Sequence, residues 1–391
     1  MDSDLSPEPP LRIDSPRPRR LLCEQTRMRI HSSLLPLVLG LAALSTTLHA
    51  AAAGLPVRGL CLMAPSKKDL PAAIEFIRGP LRREKVNTLV LEFDYGFNFH
   101  SRPEFANDGA LDKEGVRQLA RACRDSRIEL IPMLNCLGHQ SWAAQTGRLL
   151  QIHPEFDETV GKFPGNSGIY CRSYCPLHPG LHAVLFDLID ELADACATRT
   201  VHVGMDEVFI LADPDCPRCH GRDPAELFAG EVKILRDHLH RKGLKMWMWG
   251  DRFIDGRATH LGKWEASENG TARAIDLAPK DVVICDWHYD DSPGTPEFFV
   301  KKGFKVVECP WRKTNVAIQE LARVDSIREQ GGFFARRRAL GVMQTSWNGF
   351  RPFLNDYNKA LTPGNTGGNP PKDSEAGCFI NLFKAVRAEN K

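Results

Sequence analysis

Thr200-Val201-His202-Val203-Gly204-Met205-Asp206-Glu207-Val208 is the stretch on which the reading of this chain turns. The run is short and carries β-branched Val201 and Val203, the mark of a buried strand. Where apolar residues should yield to a turn, Asp206 and Glu207 stand side by side. Charge is costly to bury unless a site uses it. Adjacent carboxylates repel, so one holds its proton at a pH where the other has lost it. An acid beside a base is the expected product.

Similar β-type runs recur at Val57–Met63, Thr88–Phe93, Glu129–Asn135, Lys245–Trp249, Val282–Trp287, Phe304–Cys309 and Gly341–Trp347, which with Thr200–Gly204 make eight. Between them, apolar residues fall at helical spacing over Leu70–Arg83, Lys113–Ser126, Leu181–Ala197, Pro224–Lys242 and Val316–Arg338. Strands alternating with helices predict an α/β fold, and eight of them predict a (β/α)8 TIM barrel whose chemistry gathers at the carboxyl ends of the strands. A doubly wound open sheet is the alternative. No Gly-rich phosphate fingerprint follows any strand, which argues against a dinucleotide fold, and no cofactor is expected. Thr362–Gly377, rich in Gly, Pro and Asn, reads as a mobile loop before a short final helix around Phe379–Ala388.

A barrel demands pocket-like residues at its strand ends. Strand two runs into Glu92-Phe93-Asp94-Tyr95 and strand three into Asn135-Cys136-Leu137-Gly138-His139. Strand five ends in Trp249-Gly250-Asp251, strand six in Asp286-Trp287-His288-Tyr289-Asp290, strand seven in Glu308-Cys309-Pro310-Trp311 and strand eight in Ser346-Trp347-Asn348. Of the seven tryptophans in the chain, Trp249, Trp287, Trp311 and Trp347 thus recur at four consecutive strand ends. Indoles stack on the apolar C–H faces of sugar rings, while a few carboxylates and amides fix the hydroxyls. A small neutral carbohydrate is the expected partner.

Composition agrees with that partner. The 391 residues carry 51 basic against 49 acidic side chains, a net charge of +2 that offers no field for nucleic acid or an anionic membrane. Residues 1–53 read as an amino-terminal extension and signal peptide, and 54–391 as one catalytic barrel. Met28-Arg29, the apolar run Leu34 to Leu44 and the small residues Ala50 to Ala53 supply the parts of a secretory signal, with Met28 as an alternative start. The apolar run is too short for a comfortable membrane span. An exported protein, periplasmic or extracellular, is expected. Export favours disulfides among Cys171, Cys175, Cys216 and Cys219 over the other arrangement their spacing permits, a four-thiolate zinc site. Cys61, Cys136, Cys285 and Cys309 lie in apolar strands and read as buried small hydrophobes.

His202, Gly204, Asp206 and Glu207 form the pattern His-x-Gly-x-Asp-Glu, which resembles the strand-four signature of family 20 glycoside hydrolases, the β-N-acetylhexosaminidases. The resemblance runs from about Arg58 to Phe350. Arg58-Gly59 is similar to the family's strand-one Arg-Gly, whose arginine holds sugar hydroxyls. Gly138-His139 looks like its strand-three Gly-His, and Asp94 like its acidic residue after strand two. Cys-Pro-x-Cys followed by Asp-Pro-x-Glu-Leu-Phe, with Trp-Gly-Asp on strand five, resembles a single-domain bacterial branch of the hexosaminidase D type.

The resemblance implies substrate-assisted, retaining hydrolysis, in which the sugar's own 2-acetamido oxygen attacks the anomeric carbon. Glu207 is then the acid and base, and Asp206 the ionised group that orients the acetamido N–H and stabilises developing charge. His202 either supports the site or fills core. No tyrosine follows strand seven, where Trp311-Arg312-Lys313-Thr314 stands, so Tyr289 after strand six is the candidate donor to the acetamido oxygen. The family's glutamate after the strand-eight tryptophan is replaced by Asn348-Gly349. Arg58, Asp94, His139 and the four tryptophans are the expected sugar contacts. Two rival readings are a catalytically silent carbohydrate-binding barrel and a metal-dependent hydrolase using His139, His202, Asp206 and His288. No helical His-x-x-x-His supports the second, and no metal is expected.

Overall fold

The computed structural model describes residues 54–361 and 373–389. The signal segment with Met28, and most of the Thr362–Gly377 loop, lie outside the described residues. Eight strands build the barrel: β1 (Val57–Met63), β2 (Thr88–Glu92), β3 (Glu129–Cys136), β4 (Thr200–Gly204), β5 (Lys245–Trp249), β6 (Val283–Asp286), β7 (Lys305–Glu308) and β8 (Ala339–Ser346). All pair in parallel, each with its neighbour in sequence, and β8 pairs with β1 to close the barrel. The (β/α)8 expectation holds, and the open sheet is excluded by that last pairing.

Strands buried on both faces read as unbroken apolar runs, and successive side chains divide between two cores. Cys61, Val90, Met133, Trp247, Trp249, Cys285, Val307 and Met343 point inward and fill the barrel. Their neighbours Leu60, Leu62, Leu89, Leu91, Val201, Val203, Met246, Ile284 and Val306 point outward against the helices. Cys61, Cys285 and Cys309 are buried in the inner core and Cys136 in the outer one, as their apolar settings implied.

Helices Leu70–Phe76, Lys113–Asp125, Leu181–Cys196 and Pro224–Arg241 follow β1 to β4. Asp112 and Asp223 start two of them by accepting from the backbone N–H of Gly115 and Ala225, which satisfies donors the first helical turn leaves free. The helical run expected over Val316–Arg338 divides into Thr314–Gln330 and Gly332–Arg338, because Gly331-Gly332 is a poor helix interior. Thr295–Lys301 after β6 and the short helices after β5 carry too few turns to show a periodic signal. The final helix, Glu375–Glu389, begins before the expected Phe379. Among the described residues no helix is long and apolar enough to cross a membrane.

Candidate active site

The site forms where β3 and β4 run out. In an extended strand, neighbouring side chains point to opposite faces, so Asp206 and Glu207 should diverge. The backbone prevents that: Gly204, Met205 and Glu207 adopt φ of 67°, 76° and 48°. These left-handed turns bring both carboxylates to one atom. His139 Nε2 lies 3.1 Å from Asp206 Oδ2 and 3.0 Å from Glu207 Oε2. Two glycines make the approach possible. A side chain at Gly138 would strike the carbonyl oxygen of Asp206, and one at Gly204 the side chain of Asn135. Asp94, Leu137 and His139 also have positive φ, at 43°, 63° and 53°. Non-glycine residues held there are strained, and such strain gathers at functional sites.

Electrostatics separates the two carboxyls. Burial raises the pKa of Asp206, but the charge of His139 and its hydrogen bond more than offset this and leave Asp206 below its ordinary value. Burial also raises Glu207, where the neighbouring charges of Asp206 and Asp251 add to it; His139 opposes them and loses, so Glu207 holds its proton above the usual carboxyl range. For His139 burial favours the neutral ring, yet the Asp206 charge and hydrogen bonds to both carboxylates raise its pKa well above normal. Of the two carboxyls, Asp206 ionises at lower pH and Glu207 keeps its proton to higher pH, with the imidazolium form of His139 favoured between them. Glu207 is fixed further by its backbone N–H, which donates to Asp251 Oδ2 at 2.9 Å, and by the Cys171 thiol, which lies 3.3 Å from its carbonyl. Asp251 is in turn held by Arg252 Nε at 2.6 Å, both side chains being buried.

Asp94 enters from β2. It accepts from the Asn135 backbone N–H at 2.8 Å and from the Asn135 amide at 3.1 Å, and the same amide donates to Glu92 at 2.6 Å. Burial, then the charge of Asp94, pushes Glu92 up to about 8.

Residues 92–343 match the family model for glycosyl hydrolase family 20, catalytic domain. The chain belongs to glycosyl hydrolase family 20. It is also similar to a curated beta-hexosaminidase of Vibrio furnissii, at 23% identity over 215 residues, which are 54% of this chain and 32% of the relative. The family 20 chain thus spans about a third of the length of that relative. Among solved structures it resembles the chitobiase of Flavobacterium johnsoniae (TM-score 0.57, 17% identity, 85% of this chain and 51% of that one). It also resembles a beta-N-acetylhexosaminidase of Bacteroides fragilis (TM-score 0.53, 16% identity, 84% and 65%) and Dispersin B (TM-score 0.51, 16% identity, 85% and 99%). Identities this low speak to the fold.

In this family 20 barrel the expected aromatic residues meet, at two depths. Trp249 is fully buried, with its ring 5.7 Å from that of Trp347, and Trp287 lies beneath Tyr289 at 4.8 Å. Tyr289 packs against Trp311 at 5.2 Å, and its hydroxyl accepts from Trp347 Nε1 at 3.0 Å. Trp249 and Trp287 therefore form a floor, with Tyr289, Trp311 and Trp347 above it. Asp290, beside Tyr289, faces solvent and pairs with Lys313.

Two expectations need correction, and one rival reading does not assemble. Arg58 stands near the start of β1, so its guanidinium lies at the opposite end of the barrel, donating to the carbonyls of Leu55 and Lys85. It cannot hold a sugar bound at the carboxyl ends. The eleven described cysteines are all free, so no disulfide joins Cys171, Cys175, Cys216 or Cys219, and Cys171 turns to Glu207 instead of to the other three. The ligand set of the rival metal-dependent reading, His139, His202, Asp206 and His288, does not converge. His202 is buried against Trp249 and accepts from the Gly204 N–H, while His288 pairs with Glu265 at 2.9 Å on the outer side. His139, Asp206 and Glu207 do offer ligand atoms within 4.8 Å of one another.

Sequence reasoning passed over several residues. Trp142 stacks on His139 at 5.7 Å, and Tyr170, Phe209 and Trp264 pack edge to face beyond it, lining a hollow of about 290 Å³ beside Glu207 with Arg252 and Lys263. They sit in strand–helix connections, where no periodicity flags them; their aromatic character was the available signal. Glu375, at the start of the last helix, accepts from Trp311 Nε1 at 2.6 Å, the Trp347 N–H at 3.0 Å and the Ser346 hydroxyl at 2.5 Å. A carboxylate thus does reach the strand-eight tryptophan, from far along the chain.

Proposed function

We propose that the chain hydrolyses terminal non-reducing N-acetyl-β-D-hexosaminides, of GlcNAc or GalNAc, with retention of configuration and the substrate's 2-acetamido oxygen as nucleophile. The observation that carries this reading is the pair Asp206 and Glu207, bridged by one imidazolium and displaced in opposite directions in pKa. Asp206, ionised, accepts the acetamido N–H and stabilises the positive charge that grows on the oxazolinium ring. Tyr289 donates to the acetamido oxygen and turns it towards C1. Glu207 gives its proton to the glycosidic oxygen as the C1–O bond breaks. It then takes a proton from the water that reopens the ring at C1. Trp311 and Trp347 flank the sugar, Asp94 and His139 bound its polar side, and the hollow lined by Tyr170, Phe209 and Trp264 receives the group beyond the scissile oxygen. We read Met28 to Ala53 as an export signal, which amino-terminal sequencing of the secreted protein checks.

The test is a panel of aryl β-glycosides with and without the 2-acetamido group, together with a thiazoline mimic of the oxazolinium ion. Turnover confined to the acetamido sugars, with competitive thiazoline inhibition, is expected. Equal turnover of sugars lacking the group overturns the mechanism, and sugar binding without any turnover points to the silent-barrel reading.

A further inference from the structure

A second cluster of ligating side chains lies outside the catalytic residues, between the two loops that flank Glu207. Glu158 and Cys175 come from the connection after β3, and Cys216 and Cys219 from the connection after β4. One ligand atom from each lies within 4.8 Å of every other, and all four residues are buried. The Cys216 and Cys175 sulfurs are 3.5 Å apart, and Cys219 Sγ is 2.6 Å from Glu158 Oε1. A zinc ion with Zn–S bonds of about 2.3 Å has ligand atoms about 3.8 Å apart at the corners of its tetrahedron. The cluster is thus tetrahedron-sized as it stands.

We propose that Cys175, Cys216, Cys219 and Glu158 bind one structural Zn2+ ion. Two features beyond the clustering support it. Glu158 Oε2 is buried with no hydrogen-bond partner, a vacancy that costs free energy unless something else meets it. The Glu158 carboxyl is also aimed from behind. Its Oε1 accepts from the Asp213 N–H at 2.9 Å, and adjacent Asp157 is clamped by buried Arg172 at 2.5 Å.

Three thiols and one carboxylate favour zinc over hard cations such as calcium or magnesium, which take oxygen ligands. With four protein ligands the site is closed and has no position for substrate, which makes it structural. Binding converts three S–H groups into Zn–S bonds and releases three protons to solvent. The ion would join the two loops beside the catalytic acid. Cys171 lies four residues before Cys175 and touches the Glu207 carbonyl, so the tie reaches the acid through one short segment.

The full chain, purified without chelators, is analysed for metal by mass spectrometry, and a mercurial reagent with a chromogenic chelator measures zinc release. One equivalent of zinc per chain is expected. Cys219→Ser and Glu158→Gln should each lower it at least several-fold, while Cys171→Ser keeps a full equivalent. Replacing zinc with Co2+ should give the intense visible absorption and sulfur-to-metal charge transfer of tetrahedral thiolate coordination. Less than a tenth of an equivalent in the wild type overturns the proposal, as does a disulfide among Cys175, Cys216 and Cys219 in the purified protein. A full equivalent retained in the Cys219→Ser, Glu158→Gln double variant also overturns it, since the ion would then lie elsewhere. The wild-type measurement stands even if the variants fail to fold.

Discussion

Two acidic clusters with a histidine occur in this barrel, and they have opposite fates. At the ends of β3 and β4, Asp206, Glu207 and His139 keep 12–14% of their side-chain surface exposed, with His139 against the rings of Trp142 and Tyr170. Behind β6 and β7, Asp286, Glu308 and Glu320 with His288 are sealed at 0–1% exposure in the layer between strands and helices. Burial, then the charges of Glu320 and Asp286, raises Glu308 well above its ordinary value, and burial with the Asp286 and Glu265 charges does the same for Glu320. Burial lowers His288, but the Asp286 charge and hydrogen bonds to Asp286 and Glu265 carry it up to about 10. Perturbed pKa values therefore mark both places. What separates them is direction along the strand: Asp286 and Glu308 alternate with inward-facing Cys285, Trp287, Val307 and Cys309, so they point away from the pocket. Access and opposed titration make a reaction site; perturbation alone does not.

The contrast is sharpest at Glu207. Glu207→Gln should lower kcat on an aryl N-acetyl-β-hexosaminide by about 10³-fold, within the range for a general acid, with thermal stability little changed. Asp206→Asn should cost about 10²-fold or more through lost charge stabilisation. Turnover at the wild-type rate in either variant would put the open cluster on the same footing as the sealed one.

His139→Asn is expected to be milder and to alter the pH profile. His139 lowers both carboxyls, so its removal raises both. The acid limb of kcat/KM, set by ionisation of Asp206, and the alkaline limb, set by loss of the Glu207 proton, should both move to higher pH. A profile that only drops in height would show that the imidazolium does not tune the pair.

In the sealed cluster, Glu320→Gln should leave kcat and KM unchanged and act on stability alone. Glu320 keeps a proton in the folded chain well above the pH at which it loses it in the unfolded chain. Folded protein therefore binds the extra proton between those two pKa values, and wild-type stability falls as pH rises through that window. The glutamine variant lacks this slope, so its Tm relative to wild type should be higher at pH 8 than at pH 5. An equal difference at both pH values would mean that Glu320 is ionised in the fold. Arg58→Ala, at the far end of the barrel, should have the smallest effect: about 1 kcal/mol of stability from lost backbone hydrogen bonds, read by urea titration, and no change in KM.

Much of the architecture was legible because parallel strands buried on both faces announce themselves. All eight strand runs form strands within a residue or two, and the long helices stand where apolar spacing put them. Connections were not legible. Trp142, Tyr170 and Trp264 lie in segments without period, and Glu375 reaches Trp347 from a helix beyond the Gly/Pro-rich stretch. Arg58 shows the converse error: a motif gave the residue type, while its position near the start of β1 decided which end of the barrel it serves.

The sequence by itself determined the alternation of strands and helices, the run that ends in two carboxylates and the aromatic residues that recur at strand ends, because all of these follow from local periodicity and short motifs. Only the tertiary structure decided that Asp206 and Glu207 share His139, that Cys171 leaves the cysteine cluster and Glu158 joins it, and that Asp286 and Glu308 face away from the pocket. Those outcomes depend on left-handed turns, loop paths and the inward or outward sense of each strand position, which a one-dimensional pattern does not carry.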